Sequence, residues 1–117
     1  MDHICLFVPL LPGKEDATRA FYKDVEGPRQ QEFTDSERRL EITKEIAWLT
    51  PLDDNSSAAI IYIESENFEQ AFSEFVQSQN DFDLWFKQQV LDVSGLDLNN
   101  PPEMDLPELL SVYSGQT

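Results

Sequence analysis

Residues 40–65, LEITKEIAWLTPLDDNSSAAIIYIES, hold two apolar runs separated by a knot of turn-forming residues. Leu40 to Leu49 and Ala58 to Glu64 carry the Ile, Trp and Tyr that suit a pleated surface, and PLDDNSS between them supplies Pro, Asp, Asn and Ser. The pair reads as a β-hairpin. Its position in mid-chain decides the fold, because what flanks it on each side is one strand and helical segments.

Toward the amino end, His3 to Val8 alternates in β-rich residues and reads as a first strand, closed by a turn at Pro12-Gly13. Glu15 and Asp16 suit the positive end of a helix, and Ala17, Phe21 and Val25 give that helix one apolar stripe. Gly27-Pro28 interrupts it, with Pro28 placed to begin a further helix. In RQQEFTDSERR, residues 29–39, only Phe33 is offered for burial, so this segment is expected to be largely solvated.

Toward the carboxyl end, Phe68, Ala71, Phe72, Phe75 and Val76 fall at i, i+3, i+4, i+7 and i+8 of an amphipathic helix. Phe82, Trp85, Phe86, Val90 and Val93 mark a second one. Asn80 reads as its N-cap, Asp83 as the acid of a capping box, and Gly95 as the residue just past its end. Asp81 and Asp83 thus find a place in helix-end electrostatics without any reaction. After the proline-rich NNPPEMDLPE, Leu109 to Tyr113 reads as a last short strand.

The order β-α-(α)-β-β-α-(α)-β is the split βαβ pattern of an α+β, ferredoxin-like fold. The expectation is one domain over residues 1–117, with a four-stranded antiparallel sheet and helices on one face. The other face is left uncovered, and pairing two sheets in a homodimer is the simplest remedy.

The chain carries 23 acidic and 8 basic residues, a net charge of −15, with eight Phe, two Trp and three Tyr. The aromatic content excludes a disordered acidic chain. Six of the bases lie between Lys14 and Arg39, and from Asp53 onward Lys87 is the only one. Such a surface repels phosphate backbones, so no nucleic-acid partner is expected. One Cys and one His supply neither a disulfide nor a metal-ligand spacing, and no phosphate-cradling or dinucleotide motif is present, so no cofactor and no metal are expected. The apolar stretch at the amino end is too short to span a bilayer and has no basic segment before it, which points to a cytoplasmic protein without membrane contact.

Strand alternation sorts the candidate chemistry. In the first strand Ile4, Leu6 and Val8 oppose His3, Cys5 and Phe7. In the second Ile42, Ile46 and Trp48 oppose Thr43, Glu45, Ala47 and Leu49, and in the third Ala59, Ile61 and Ile63 oppose Ala58, Ile60, Tyr62 and Glu64. With the greasier sets facing the helices, His3, Cys5, Glu45, Tyr62 and Glu64 share the opposite face. Glu45, His3 and Tyr62 are then the candidates for acid–base work, with Arg38, Arg39, Glu64 and Trp85 as candidate substrate contacts. The competing reading has Glu45 and Glu64 in structural ion pairs with Arg38, Arg39 or Lys44, and Cys5 as a small buried hydrophobe.

FVPLLPGKEDATRAFYKDVEGPR, ERRLEITKEIAWLTP, AAIIYIES and FDLWFKQQVLDVSGLDL together resemble an uncharacterised bacterial family of ferredoxin-like, dimeric α+β barrel proteins, over about residues 4 to 110. The family pattern has a P-G-K turn, here Pro12, Gly13 and Lys14. It has an arginine before a strand bearing E-x-x-W, here Arg38 or Arg39 with Glu45 and Trp48, and F-D-x-W-F, here Phe82, Asp83, Trp85 and Phe86. Glu41 stands where that pattern has a glycine. No reaction is established for the family, so the resemblance assigns no catalytic residue. The wider class includes cofactor-free monooxygenases, isomerases and cyclases, and also ligand-sensing modules. The expectation is therefore a homodimer binding a small molecule in a cavity on the sheet face. The alternatives are a cofactor-independent enzyme on a small apolar or aromatic substrate, and a protein–protein interaction module using the acidic second half.

Overall fold

The computed structural model describes residues 1–115. The elements are β1 (Asp2–Pro9), α1 (Glu15–Glu26), α2 (Gln30–Arg39), β2 (Ile42–Pro51), β3 (Ser57–Ser65), α3 (Phe68–Gln77) and α4 (Asp81–Ser94). β3 is the centre of a three-stranded sheet in the order β1-β3-β2, antiparallel to both neighbours. The hairpin is present as the sequence implies, turning at Asn55, which takes the left-handed conformation (φ 68°) that asparagine tolerates.

The expected fourth strand is not there, so the four-stranded ferredoxin-like sheet, and the barrel built from two such sheets, are corrected to a three-stranded α+β arrangement. Among the described residues, 95–115 form no helix or strand. Pro101, Pro102 and Pro107 bring no N–H to a ladder. Leu110 and Tyr113 remain 84% and 89% exposed, so this run buries too little apolar surface to offset the entropy of ordering it.

Asn67 caps α3 by accepting from the Gln70 N–H, and the Asp2 carboxylate accepts from the Phe68 N–H. Asn80 caps α4 through the Phe82 N–H, and Gly95 closes that helix at φ 78° with its N–H on the Leu91 carbonyl. Lys87, 1% exposed, sends its ammonium to the carbonyls of Phe75, Val76 and Ser78 at 2.9, 3.1 and 3.0 Å. A buried cation thereby satisfies the orphan carbonyls at the end of α3 and ties α4 to it. In α1 the buried stripe is Thr18, Phe21 and Val25, and Ala17 is exposed instead.

The core joins Leu10, Ala59, Ile61, Ile63, Phe68 and Val93, with Ile4, Leu6, Val8, Ile42, Ala47 and Leu49 packed against it. No helix among the described residues is long and apolar enough to cross a membrane.

The face of β2 departs from expectation. Ile42 pairs with Ser65 and Lys44 with Glu64, so Thr43 is one extra residue on β2. This bulge breaks the alternation and puts Ile42 on the same side as Glu45, Ala47 and Leu49, toward the helices. Ile46 and Trp48, the greasier members of the strand, face outward and are 40% and 51% exposed. Cross-strand pairing explains why. Trp48 and Phe7 flank Ile60, and Ile46 and Cys5 flank Tyr62, so apolar and aromatic side chains pack side by side on the outer face.

Candidate functional site

Between the helices and the inner face of the sheet lies a cavity of about 660 Å³. Its floor is Leu6 and Val8 of β1, Ile42 and Glu45 of β2, and Ala59, Ile61 and Ile63 of β3. Phenylalanines from all four helices form the walls, among them Phe21, Phe33, Phe75 and Phe86. Phe86 is their hub, meeting Phe21 edge-on at 4.9 Å and Phe75 edge-on at 5.8 Å and lying parallel to Phe33 at 6.3 Å. Met104 and Leu106 of the carboxyl-terminal segment reach the same cavity.

Most polar side chains in this lining are satisfied within the protein. Thr18 donates to the Lys14 carbonyl at 2.8 Å, Ser94 to the Val90 carbonyl at 2.6 Å, and Ser36 to Asp83 at 2.6 Å. Three groups differ. Glu37 from α2 and Glu45 from β2 are hydrogen-bonded to each other inside the cavity, and Tyr22 from α1 stands close enough to feel both charges. Two carboxyls in contact need a proton between them, and the surroundings decide where it sits. Burial, then the Glu45 charge and the hydrogen bond to Glu45, and last Asp83, raise Glu37 far above the carboxylate range. Burial also raises Glu45, but the hydrogen bond it accepts from Glu37 opposes this. Above about pH 7, where Glu45 ionises, the pair therefore keeps one proton, carried by Glu37 and donated to the Glu45 carboxylate. Burial, followed by the charges of Glu45 and Glu37, pushes the Tyr22 hydroxyl up as well. Tyr22 stays a neutral donor.

Sequence reasoning passed over Glu37. Phe33, Ser36, Glu37 and Leu40 fall at i, i+3, i+4 and i+7, the spacing of an inward helix face, and that periodicity was available in the residues. Two of its four members are polar, which is why 29–39 reads as solvated. In the structure Ser36 and Leu40 are buried, and Glu37 points into the cavity.

The remaining candidates lie elsewhere. His3, Tyr62 and Glu64 occupy the outer sheet face, where the Tyr62 hydroxyl bridges His3 Nδ1 and Glu64 Oε2, each at 2.8 Å. Lys44 pairs with Glu64 at 3.8 Å. Glu45 is on the opposite face, so the expected Glu45–His3–Tyr62 constellation is separated by the thickness of the sheet. The cause is the Thr43 bulge together with the outward turn of Ile46 and Trp48. Cys5 is exposed on that outer face, not buried. Leu109, Val112 and Tyr113 lie beside His3 and Tyr62 there.

Neither arginine lines the cavity. Arg38 is exposed, and Arg39 donates to Asp83 at 2.8 Å. Asp83 reaches beyond the capping-box role and collects Ser36, Arg39 and Ser78 in one buried knot joining α2, α4 and the end of α3. Trp85 packs α4 onto Phe21 of α1 at 5.5 Å, with the Arg29 guanidinium 4.2 Å over its ring. Comparison with protein-family models, curated proteins and solved structures finds no match for this chain.

Proposed function

We propose that this chain binds a small, largely apolar molecule in the cavity between the helices and the inner sheet face. One observation carries the reading. A cavity of about 660 Å³ has aromatic walls and a small convergent polar set, the Glu37–Glu45 pair and the Tyr22 hydroxyl, as small-molecule sites do. A titration of the purified protein with small aromatic and aliphatic probes, followed by calorimetry, tests it. Saturable binding, lost in Val90→Phe where the added ring occupies the cavity, is the expected result. A folded wild-type protein that binds none of the probes saturably would sink the proposal.

A second reading gives the same cavity cofactor-independent acid–base chemistry of the monooxygenase, isomerase or cyclase kind. The shared proton favours it, since Glu45 is raised toward neutrality beside a protonated partner, where general acids and bases work best. Glu45 would move the proton and Tyr22 would donate to a developing oxyanion. On a substrate that the protein turns over, Glu45→Gln abolishes turnover while uncharged ligands still bind the cavity.

A homodimer, formed through the outer sheet face, belongs to the same proposal. The support is the row Phe7, Ile60 and Trp48 across three strands, with Phe7 and Trp48 each 51% exposed. Light scattering that returns the 13.5 kDa mass of one chain rejects it. The exposed Cys5 thiol suits a reducing compartment, so we place the protein in the cytoplasm within this proposal. The resemblance to the uncharacterised bacterial family stands as part of it too, and it assigns no reaction.

A further inference from the structure

Every titratable side chain in the cavity lining is a carboxyl or a phenol: Glu37, Glu45, Asp105 and Tyr22. No Lys, Arg or His is among the described lining residues. Elsewhere two carboxylates that hold tertiary contacts have a cation, while Asp2 and Glu15 are answered by neutral donors, the Phe68 N–H and the Ser57 hydroxyl. Asp83 has Arg39, and Glu64 has Lys44. Glu37 and Glu45 have no cation in the lining, and once Glu45 ionises, above about pH 7, the one proton left between two carboxyls leaves a negative charge against phenylalanine walls. Those walls add an attraction of the same sign, because the faces of aromatic rings are electron-rich and draw cations.

Resting on the reading that the cavity binds a small molecule, we infer that its ligand is an organic cation, a protonated amine on an apolar skeleton, with the ammonium seated between Glu45 and the aromatic walls. The alternatives fit less well. A carboxylate ligand would bring a second negative charge close to the first, and like charges that close repel in a partly screened site. A neutral alcohol is admitted, but its hydrogen bond to the pair exchanges one made to water and gains little. An ammonium supplies the missing countercharge and three donors to carboxyls that line the cavity.

The charged and titratable groups around the pair define its pH behaviour. Tyr22 of α1, Glu37 of α2, Asp83 of α4 and Asp105 of the carboxyl-terminal segment face it or act on it, and β1 and α3 contribute no charged group to the lining. Glu37 and Tyr22 already hold their protons and Asp83 is held below the ordinary carboxylate value, so Glu45 is the group whose proton uptake weakens the hold on an ammonium. Amine affinity therefore falls as pH drops and Glu45 is neutralised, whereas alcohol affinity stays flat.

The test uses matched series on two skeletons, phenethyl and hexyl, each as amine, alcohol and carboxylate, titrated calorimetrically into the full-length protein. Near pH 8 the amine is expected to bind at least about tenfold tighter than its alcohol, with the carboxylate weakest. That preference shrinks toward parity near pH 5, and in Glu45→Gln it disappears while alcohol binding persists. The wild-type series and its pH dependence stand alone if the variant does not fold. An alcohol or carboxylate that binds as tightly as the amine near pH 8 overturns the inference and leaves the cavity-binding reading in place. If no member of either series binds, it is the cavity-binding reading that falls, and the inference falls with it.

Discussion

Asp83 and Glu45 are both carboxyls withdrawn from water against helix α2, and they part company in charge. Asp83 is fully buried, so desolvation alone would drive its pKa up, yet hydrogen bonds from Arg39, Ser36 and Ser78 and the Arg39 charge hold it below the ordinary carboxylate value. Glu45, half-buried beside the cavity, is raised by burial, with no cation and a single hydrogen bond from another acid. One turn of α2 supplies both outcomes, Ser36 and Arg39 for the first site and Glu37 for the second. Burial sets the stakes for a carboxyl, but its partners decide the charge. The Asp83 knot is thus complete in itself, whereas the Glu37–Glu45 pair retains an unanswered charge in an open volume. The first is a device for holding α2, α4 and the end of α3 together. The second is where a ligand has something left to contribute.

The largest effect should come from breaking the complete site. Asp83→Ala leaves the Ser36 and Ser78 hydroxyls without their acceptor and strips Arg39 of its partner. Arg39 is 42% exposed and can turn to water, so the loss should sit below that of a fully buried pair, at about 2–3 kcal/mol in urea denaturation. A loss below about 0.5 kcal/mol would show that the knot does not anchor the helices.

A middle-sized effect should separate the two sites by pH. Glu37 and Glu45 have native values above their unfolded ones, so the native state binds more protons, and this pair's contribution to stability is full below the ordinary carboxylate range and is lost as pH rises from there through the raised native values. Asp83 runs the other way. Its contribution is full above the unfolded value and is lost as pH falls through the lowered native one. Glu45→Gln removes the Glu45 part of the first slope, leaves the part that burial gives Glu37, and keeps the second, gaining about 1–2 kcal/mol on the wild type between roughly pH 5 and pH 8. Parallel pH profiles for the two proteins would contradict the shared proton.

The smallest effect concerns the residue between the helix of Glu37 and the strand of Glu45. Glu41 joins α2 to β2 with φ 58°, a left-handed conformation that costs a side-chain-bearing residue but not glycine. Glu41→Gly should raise thermal stability by about 0.5–1 kcal/mol, reduced from the full strain by the extra freedom glycine gives the unfolded chain. A drop in melting temperature would mean that the Glu41 side chain does more for the fold than its backbone costs.

Much of this was readable from the residues. The hairpin, the aromatic spacing of α3 and α4, the Asn80 cap and the Gly95 stop follow from rules that act over a few residues, and the structure has them. Glu45 stood out as the one carboxylate on a strand otherwise rich in apolar residues. The companions assigned to it were wrong in place, because hydropathy chose the face of β2 and the choice failed. Ile46 and Trp48 look like core residues along the chain, but their best neighbours are Tyr62, Ile60 and Phe7 on the outer face.

What the sequence determined by itself was therefore local: where strands and helices begin and end, because caps, turns and periodicity need only neighbours in the chain. Tertiary structure alone decided which side of β2 faces in, that Leu109–Tyr113 does not join the sheet, and that Glu37 meets Glu45. Each of these depends on one extra residue at Thr43 or on surface buried between segments far apart in the chain. Two acids eight positions apart have no reason to share a proton until a helix turns into a strand and folds one back over the other.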